Sequence, residues 1–368
     1  MRYLIFIILL SFLFACTTDK NRDKFLVVKE VERVAPNLKI GKAVILETNS
    51  SNLLGVSLQV KRDDIGFWIL DTDIRDAIHG FDYEGKYLGM VSTIGEDPKS
   101  VPSISDFIVL NDTIKVLTSL GDRVLVSFFS KANQKLKQIE LPHNFYSFEQ
   151  SSSGYWLYSG YNKMAGSHRL KKVGYNGQMQ KEFLPNDDFG DRFLPFVEPS
   201  FFVGHDKIIL REALRPEVFT LTQKGLELEL RLDLGDFRAP DSYWFMDPLE
   251  GFERLNAQGF STIGFIQETE SHFLIEIQTQ ENNRSKKDIL IRNNNSNKWI
   301  KIPVDEMTNG HFYNPIGIEG NKIIFISYAP FVKMNYPELE LSATAEKTLK
   351  GIDESSNPII LYAEIPEF

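Results

Sequence analysis

From about residue 50 onward the chain alternates short apolar runs with Asp, Asn and Gly, and no long stretch carries helical spacing. GFWILDTDI (66–74) precedes AIHGFDYEGKYLGMVS (77–92), whose strand formers flank a tight turn at Tyr83-Glu84-Gly85-Lys86. DFIVLNDTIKVLTS (106–119) reads as two strands joined across Asn111-Asp112, and VLVSFFSKANQKLKQIEL (124–141) as two more across 131–134. The same grammar continues through 145–161, 168–184, 201–214, 217–233, 260–278, 288–304 and 312–328. Their turns fall at Ser151–Gly154, Asn176-Gly177, Gly204–Asp206, Lys224-Gly225, Glu268–Ser271, 293–297 and Gly320-Asn321. Apolar alternation broken by Asn-Gly and related pairs is a hairpin signal, because those residues accept the positive φ that tight turns demand.

Two hairpins make one four-stranded unit. Units begin near Ser105, Tyr146, Phe196, Phe260 and Phe312, spaced 41, 50, 64 and 52 residues apart, and 56–92 supplies one before them. A four-stranded sheet this small cannot bury both of its own faces. Six of them stacked around an axis bury each other and leave only short edges. The pattern therefore predicts an all-β fold, a six-bladed β-propeller of four-stranded antiparallel blades. ELELSATAEKTLKGI (338–352) has helix-like composition, and IILYAEI (359–365) reads as a last strand. Either that strand or the early AVILET (43–48) closes the last blade; both readings stay open. The segment 232–259 is looser than a repeat and is long enough to cover one end of a central channel.

The start of the chain has a different pattern. MRYLIFIILLSFLFAC places one positive charge, Arg2, before an apolar run too short to span a bilayer comfortably, and ends it at Cys16, the only cysteine. This layout resembles a bacterial lipobox, in which the cysteine becomes the lipidated first residue. The expected organisation is a signal peptide over 1–15, a lipidated Cys16 with a polar tether to residue 35, and the propeller over 36–368. A protein so attached belongs at the outer membrane, on a periplasmic or surface face. With one cysteine there is no internal disulfide, so the fold depends on its core.

Charge narrows the partners. The whole chain carries 41 basic and 50 acidic residues, and loss of 1–15 leaves 40 against 50. An acidic protein without a basic stripe is not expected to bind nucleic acid. The phrases WILDTDIRDAIHGFDYEGKYLGMVSTIGE (68–96), DTIKVLTSLGDRVLVSF (112–128), KIILREALRPEVFTL (207–221) and NPIILYAEI (357–365), together with 13–16, resemble the six-bladed β-propeller lipoproteins of Bacteroidota. That resemblance covers nearly all of the chain after its leader. It implies fold and export, and leaves the chemistry open, since propellers host enzymes, receptors and scaffolds.

Motif chemistry is sparse. The six histidines lie at unequal places in their units and form no HExxH. There is no GxSxG elbow and no phosphate loop. DTD (71–73) resembles a fragment of a calcium loop without the distal Glu, so no cofactor is expected and Ca²⁺ is the one candidate ion. The candidate channel or ligand contacts are Asp71, Asp73 and Arg75 in the first unit, Asp106, Glu149 and Glu198 near inner-strand starts, and Arg211 and Arg215 beside Pro216. Charged groups on inner strands either meet a ligand on the axis or stitch blades together, because desolvated polar groups need partners. Tyr243, Trp244 and Phe245 cannot all face inward on one strand and are candidate interface aromatics. The function expected is a membrane-anchored, non-catalytic binding or scaffolding module recognising an envelope protein, peptide or glycan. The alternative is a carbohydrate-active hydrolase or lyase with its site on the axis.

Overall fold

The computed structural model describes residues 24–368 apart from 75, 143, 162–165, 187–198 and 283. The unit start read at Phe196 lies outside the described residues. Six sheets stand in a ring, each running from an inner strand on the axis to an outer one at the rim. Blade 1 is Leu58–Arg62, Gly66–Asp71, Ile78–Asp82 and Tyr87–Val91. Blade 2 is Asp106–Leu110, Thr113–Ser119, Arg123–Ser130 and Lys135–Pro142. Blade 3 is Ser147–Ser151, Gly154–Tyr158, His168–Val173 and Met179–Pro185. Blade 4 is Phe201–Val203, Ile208–Arg211, Glu217–Leu221 and Leu226–Asp233. Blade 5 is Phe260–Glu268, His272–Glu281, Arg284–Asn293 and Trp299–Asp305. All neighbouring pairs within these blades are antiparallel.

Blade 6 resolves the closure. Its order from the axis is Pro315–Glu319, Lys322–Ser327, Ile359–Glu364 and then Ile40–Ile45. Both chain ends contribute: the late strand is third and the early one is outermost, pairing Ile360 with Val44 and Leu361 with Ala43. The helix-like stretch contains Ala343–Leu349, capped by the Ser342 hydroxyl, which accepts from the Ala345 N–H at 3.1 Å.

Strand periodicity builds the core. The second strand of blade 1, GFWILD, is buried along its whole length because a blade has neighbours on both sides. Phe67 and Ile69 join a cluster with Ile324 and Ile360 of blade 6, while Trp68 and Leu70 join Phe107 and Val116 of blade 2. The pattern repeats between blades 2 and 3 (Ile108, Val126, Phe148), 3 and 4 (Trp156, Leu210), 4 and 5 (Ile209, Ile275), and 5 and 6 (Leu274, Phe325). Ion pairs add to these interfaces: Lys131 of blade 2 lies 2.6 Å from Asp63 after the inner strand of blade 1, and Lys207 lies 2.7 Å from Glu268 between blades 4 and 5. Burial opposes ionisation of Asp63, but the Lys131 contact and the N–H groups of Ile65 and Gly66 outweigh it and hold its carboxyl below the usual range.

The segment read as tether departs from that expectation. Phe25–Val27 pairs parallel to Leu226–Asp233 on the rim of blade 4, and Glu32–Arg33 pairs parallel to Trp299–Asp305 on blade 5. Val28 and Val31 between them are buried in the core shared by blades 4 and 5. The fold therefore begins by Phe25 and not after residue 35. The physical reason is that an outer strand presents unpaired N–H and C=O groups, and these short segments satisfy them. The chain then runs on to blade 6, so one belt crosses the rims of three consecutive blades.

Candidate functional site

The inner strands of all six blades enclose an axial channel of about 1090 Å³. The inner strands supply its wall, among them Gln59 and Lys61 from blade 1, Asp106 and Ile108 from blade 2, Glu149 from blade 3, Phe201 and Val203 from blade 4, Phe265 and Gln267 from blade 5, and Ile316 from blade 6.

Asp106 is the centre of one polar knot. Its Oδ1 accepts from Gln59 Nε2 at 2.8 Å and from its neighbour Phe107 N–H at 2.8 Å. Its Oδ2 accepts from Ser147 Oγ at 2.8 Å and Phe148 N–H at 3.1 Å, and Lys61 Nζ stands 3.7 Å from Oδ1. One carboxylate thus joins blades 1, 2 and 3. Glu149 lies beside this knot, and its Oε1 accepts from the Gln150 N–H at 2.9 Å. Burial pushes the Glu149 carboxyl up, and Asp106 adds to the rise; Lys61 and Lys115 oppose it.

A second knot sits between blades 5 and 6. Glu276 Oε1 is 3.1 Å from Lys287 Nζ, which donates to Asn314 Oδ1 at 3.2 Å and stands 4.1 Å over the Tyr313 ring. Glu276 belongs to the second strand of its blade and reaches the axis across Gly264. A Cβ at Gly264 would lie 2.6 Å from the Glu276 carboxylate, and a bulge between Ile263 and Phe265 opens the inner strand there.

Of the residues selected from sequence, Asp106 and Glu149 line the channel. Arg75 and Glu198 lie outside the described residues, as does Cys16. Asp71 is buried at the end of the second strand of blade 1, its Oδ2 accepting from Gly55 N–H at 2.6 Å and its Oδ1 from Asp73 N–H at 3.0 Å and Ile74 N–H at 3.2 Å. These bonds tie up the Asp71 carboxylate, and neither Asp71 nor Asp73 lines the channel. Among the described residues no three His, Cys, Asp or Glu side chains converge as a metal site.

Arg211 and Arg215 do not line the channel either. Arg211 is buried on the second strand of blade 4. Arg215 Nε donates to Tyr161 Oη at 3.0 Å, and its guanidinium stacks 4.0 Å from the Trp244 ring. Tyr161 and Trp244 pack at 4.6 Å, and Arg169 lies 4.7 Å from the Tyr161 ring. Arg169 also holds Glu212 with two bonds, 2.6 and 3.2 Å, while Tyr158 Oη donates to Glu212 at 2.9 Å. This is a blade 3–blade 4 junction of charge and aromatic faces. Trp244 and Tyr243 are 2% and 3% exposed within it; Phe245 is 68% exposed. The three divide this way because Asp241–Phe245 is a 3₁₀ turn and not a strand. The segment expected to cover the channel forms that turn and the helix Pro248–Gln258, and no residue from 232–259 lines the channel.

Sequence reasoning missed Lys61, Gln59, Glu276 and Lys287. The first two were within reach, since LQVKR alternates polar with apolar on an inner strand. Glu276 and Lys287 carried one cue, the glycine inside FSTIGFIQE.

Residues 42–364 match the family described as a domain of unknown function, DUF4934. No curated protein sequence matches the chain. Among solved structures the chain is similar to an inferred exported protein of Bacteroides fragilis, with a TM-score of 0.69 at 14% identity over 91% of this chain and all of the other. It is also similar to a member of the DUF4221 family from Bacteroides vulgatus, with a TM-score of 0.54 at 10% identity over 90% of this chain and all of the other. At such identities the likeness concerns the fold alone. No helix among the described residues is long and apolar enough to cross a membrane.

Proposed function

This chain belongs to the DUF4934 family, and from that premise we propose that it is a non-catalytic binding module of the bacterial envelope. In this reading lipid on Cys16 holds it at the outer membrane, and its axial channel receives part of a peptide or glycan. The observation that carries the reading is the channel itself: about 1090 Å³, walled by all six blades, with polar groups spaced among apolar ones. Its Asp106 is saturated by Gln59, Ser147 and two backbone N–H groups, and Lys287 engages Glu276. Groups so engaged shape and polarise a site without a free base to run a reaction.

One observation favours a second reading. Asp106 and Glu149 reach the same cavity from separate blades, and burial raises the Glu149 carboxyl, as a general acid of a carbohydrate-active enzyme requires.

The test uses full-length lipidated protein extracted from membranes, offered envelope glycans and peptides, with bound material and released sugars both measured. The binding reading expects retention of a defined ligand, at least tenfold weaker retention by Val203→Trp at the channel wall, and no released sugar. Retention unchanged by Val203→Trp removes the ligand from the channel. Sugar release by the native protein that Glu149→Gln abolishes replaces the binding reading with the enzymatic one.

A further inference from the structure

The face of blade 2 turned toward blade 3 carries Lys115, Phe128 and Lys137, none of which lines the axial channel. Lys115, Phe128 and Lys137 are cross-strand neighbours on the second, third and fourth strands of blade 2. Ile108 precedes them on the inner strand in the same row. Ile108 and Phe128 belong to the core shared with blade 3, so the row faces that blade. Lys137 Nζ lies 4.4 Å and Lys115 Nζ 5.3 Å from the Phe128 ring centre; Lys115 is also 5.6 Å from the Tyr155 ring of blade 3.

Neither ammonium has an ion pair or hydrogen bond with a described residue, although Lys115 is only 7% exposed. Glu149 acts on Lys115 from blade 3 through space, without pairing to it. Burying a cation beside a second cation is costly, and aromatic faces return only part of that cost. Burial first, and Lys137 second, lower the Lys115 ammonium to about 8, while Glu149 opposes the fall.

Both lysines open into a cavity of about 410 Å³. Its other walls are Thr113 and Asn111 at the hairpin tip, where Asn111 takes a φ of 51°, and the part-exposed Leu110 and Leu136. Two ammonium groups supply point charges rather than the planar fork that suits a carboxylate, and that favours a tetrahedral oxyanion. The apolar walls suit the carbon skeleton carrying it.

We infer that the Lys115–Phe128–Lys137 groove binds a phosphate or sulfate group borne on a small, sugar-sized body, at a site distinct from the axial channel.

The test is lysine acylation by acetic anhydride at pH 7.5 on the full chain, with every lysine read by mass spectrometry. Inorganic phosphate, inorganic sulfate, glucose 6-phosphate and glucose are compared at ionic strength matched with chloride. The expected result is several-fold protection of Lys115 and Lys137 over other lysines by glucose 6-phosphate, less by the inorganic ions and none by glucose. Calorimetry should then show glucose 6-phosphate binding weakened at least tenfold by Lys137→Gln, whose exposed position leaves the core intact, and by Lys115→Met. Equal protection by inorganic phosphate and glucose 6-phosphate keeps the oxyanion and overturns the sugar-sized body. No selective protection, or affinity unchanged in both variants, overturns the site.

Discussion

His311 is a titratable group that the fold keeps neutral. It is 6% exposed in the turn before blade 6, packed 4.2 Å from Phe312, and burial lowers its imidazole from 6.5 to about 4. The unfolded chain takes up that proton near pH 6.5 and the folded chain only near pH 4. Stability from this residue is therefore full above pH 6.5 and lost as pH falls toward 4, about 2 kcal/mol of it by pH 5. Urea midpoints from pH 7 to 5 should fall in the native protein and fall less in His311→Phe; parallel slopes would reject the assignment. The same scale shows what a sequence conveys about a site. Asp106 and Glu149 were legible because charge at the start of an inner strand has only the axis or a neighbouring blade to face. The Lys115–Lys137 row was not, because it exists only once the register of three strands is set. Asp71 and Trp244 illustrate the converse: residue types that suit a ligand were taken up by a turn and by an arginine stack.

At the scale of elements, hairpins were readable and edges were not. Asn111 and Gly177, with φ of 51° and 83°, mark turns whose chemistry announces itself. FLV and ER carry no such mark. They are short, they sit in a charged stretch, and their partners lie some two hundred residues or more away, so nothing local distinguishes them from a solvated tether. Their contribution is nonetheless measurable. Removing 24–34 exposes the cluster that buries Val28 and Val31 and strips two rims of their pairing. The expected loss is about 2–4 kcal/mol, after allowing for the entropy of ordering the segment. It should appear as a lower urea midpoint, with light scattering reporting self-association through the opened edges. An unchanged midpoint would mean that the belt only rests on the ring.

At the scale of the molecule, six units followed from spacing alone, since a lone four-stranded sheet has no way to cover both faces. Which end closes the ring did not follow, because 43–48 and 359–365 are strands of equal quality and the answer uses both. The closure has a consequence under load. A pull on the N-terminal side meets Phe25–Val27 first, then Glu32–Arg33, and only then the six-residue strand Ile40–Ile45 that locks blade 6. The two short pairings should give way singly, freeing a stretch whose full contour is about 50 Å, so that the slack is that length less the span it already covers. In a single-molecule trace this is a weak, reversible lengthening ahead of the main rupture, and a single rupture without it would exclude such an order. The belt is then a built-in shock absorber between whatever pulls on that end and the ring.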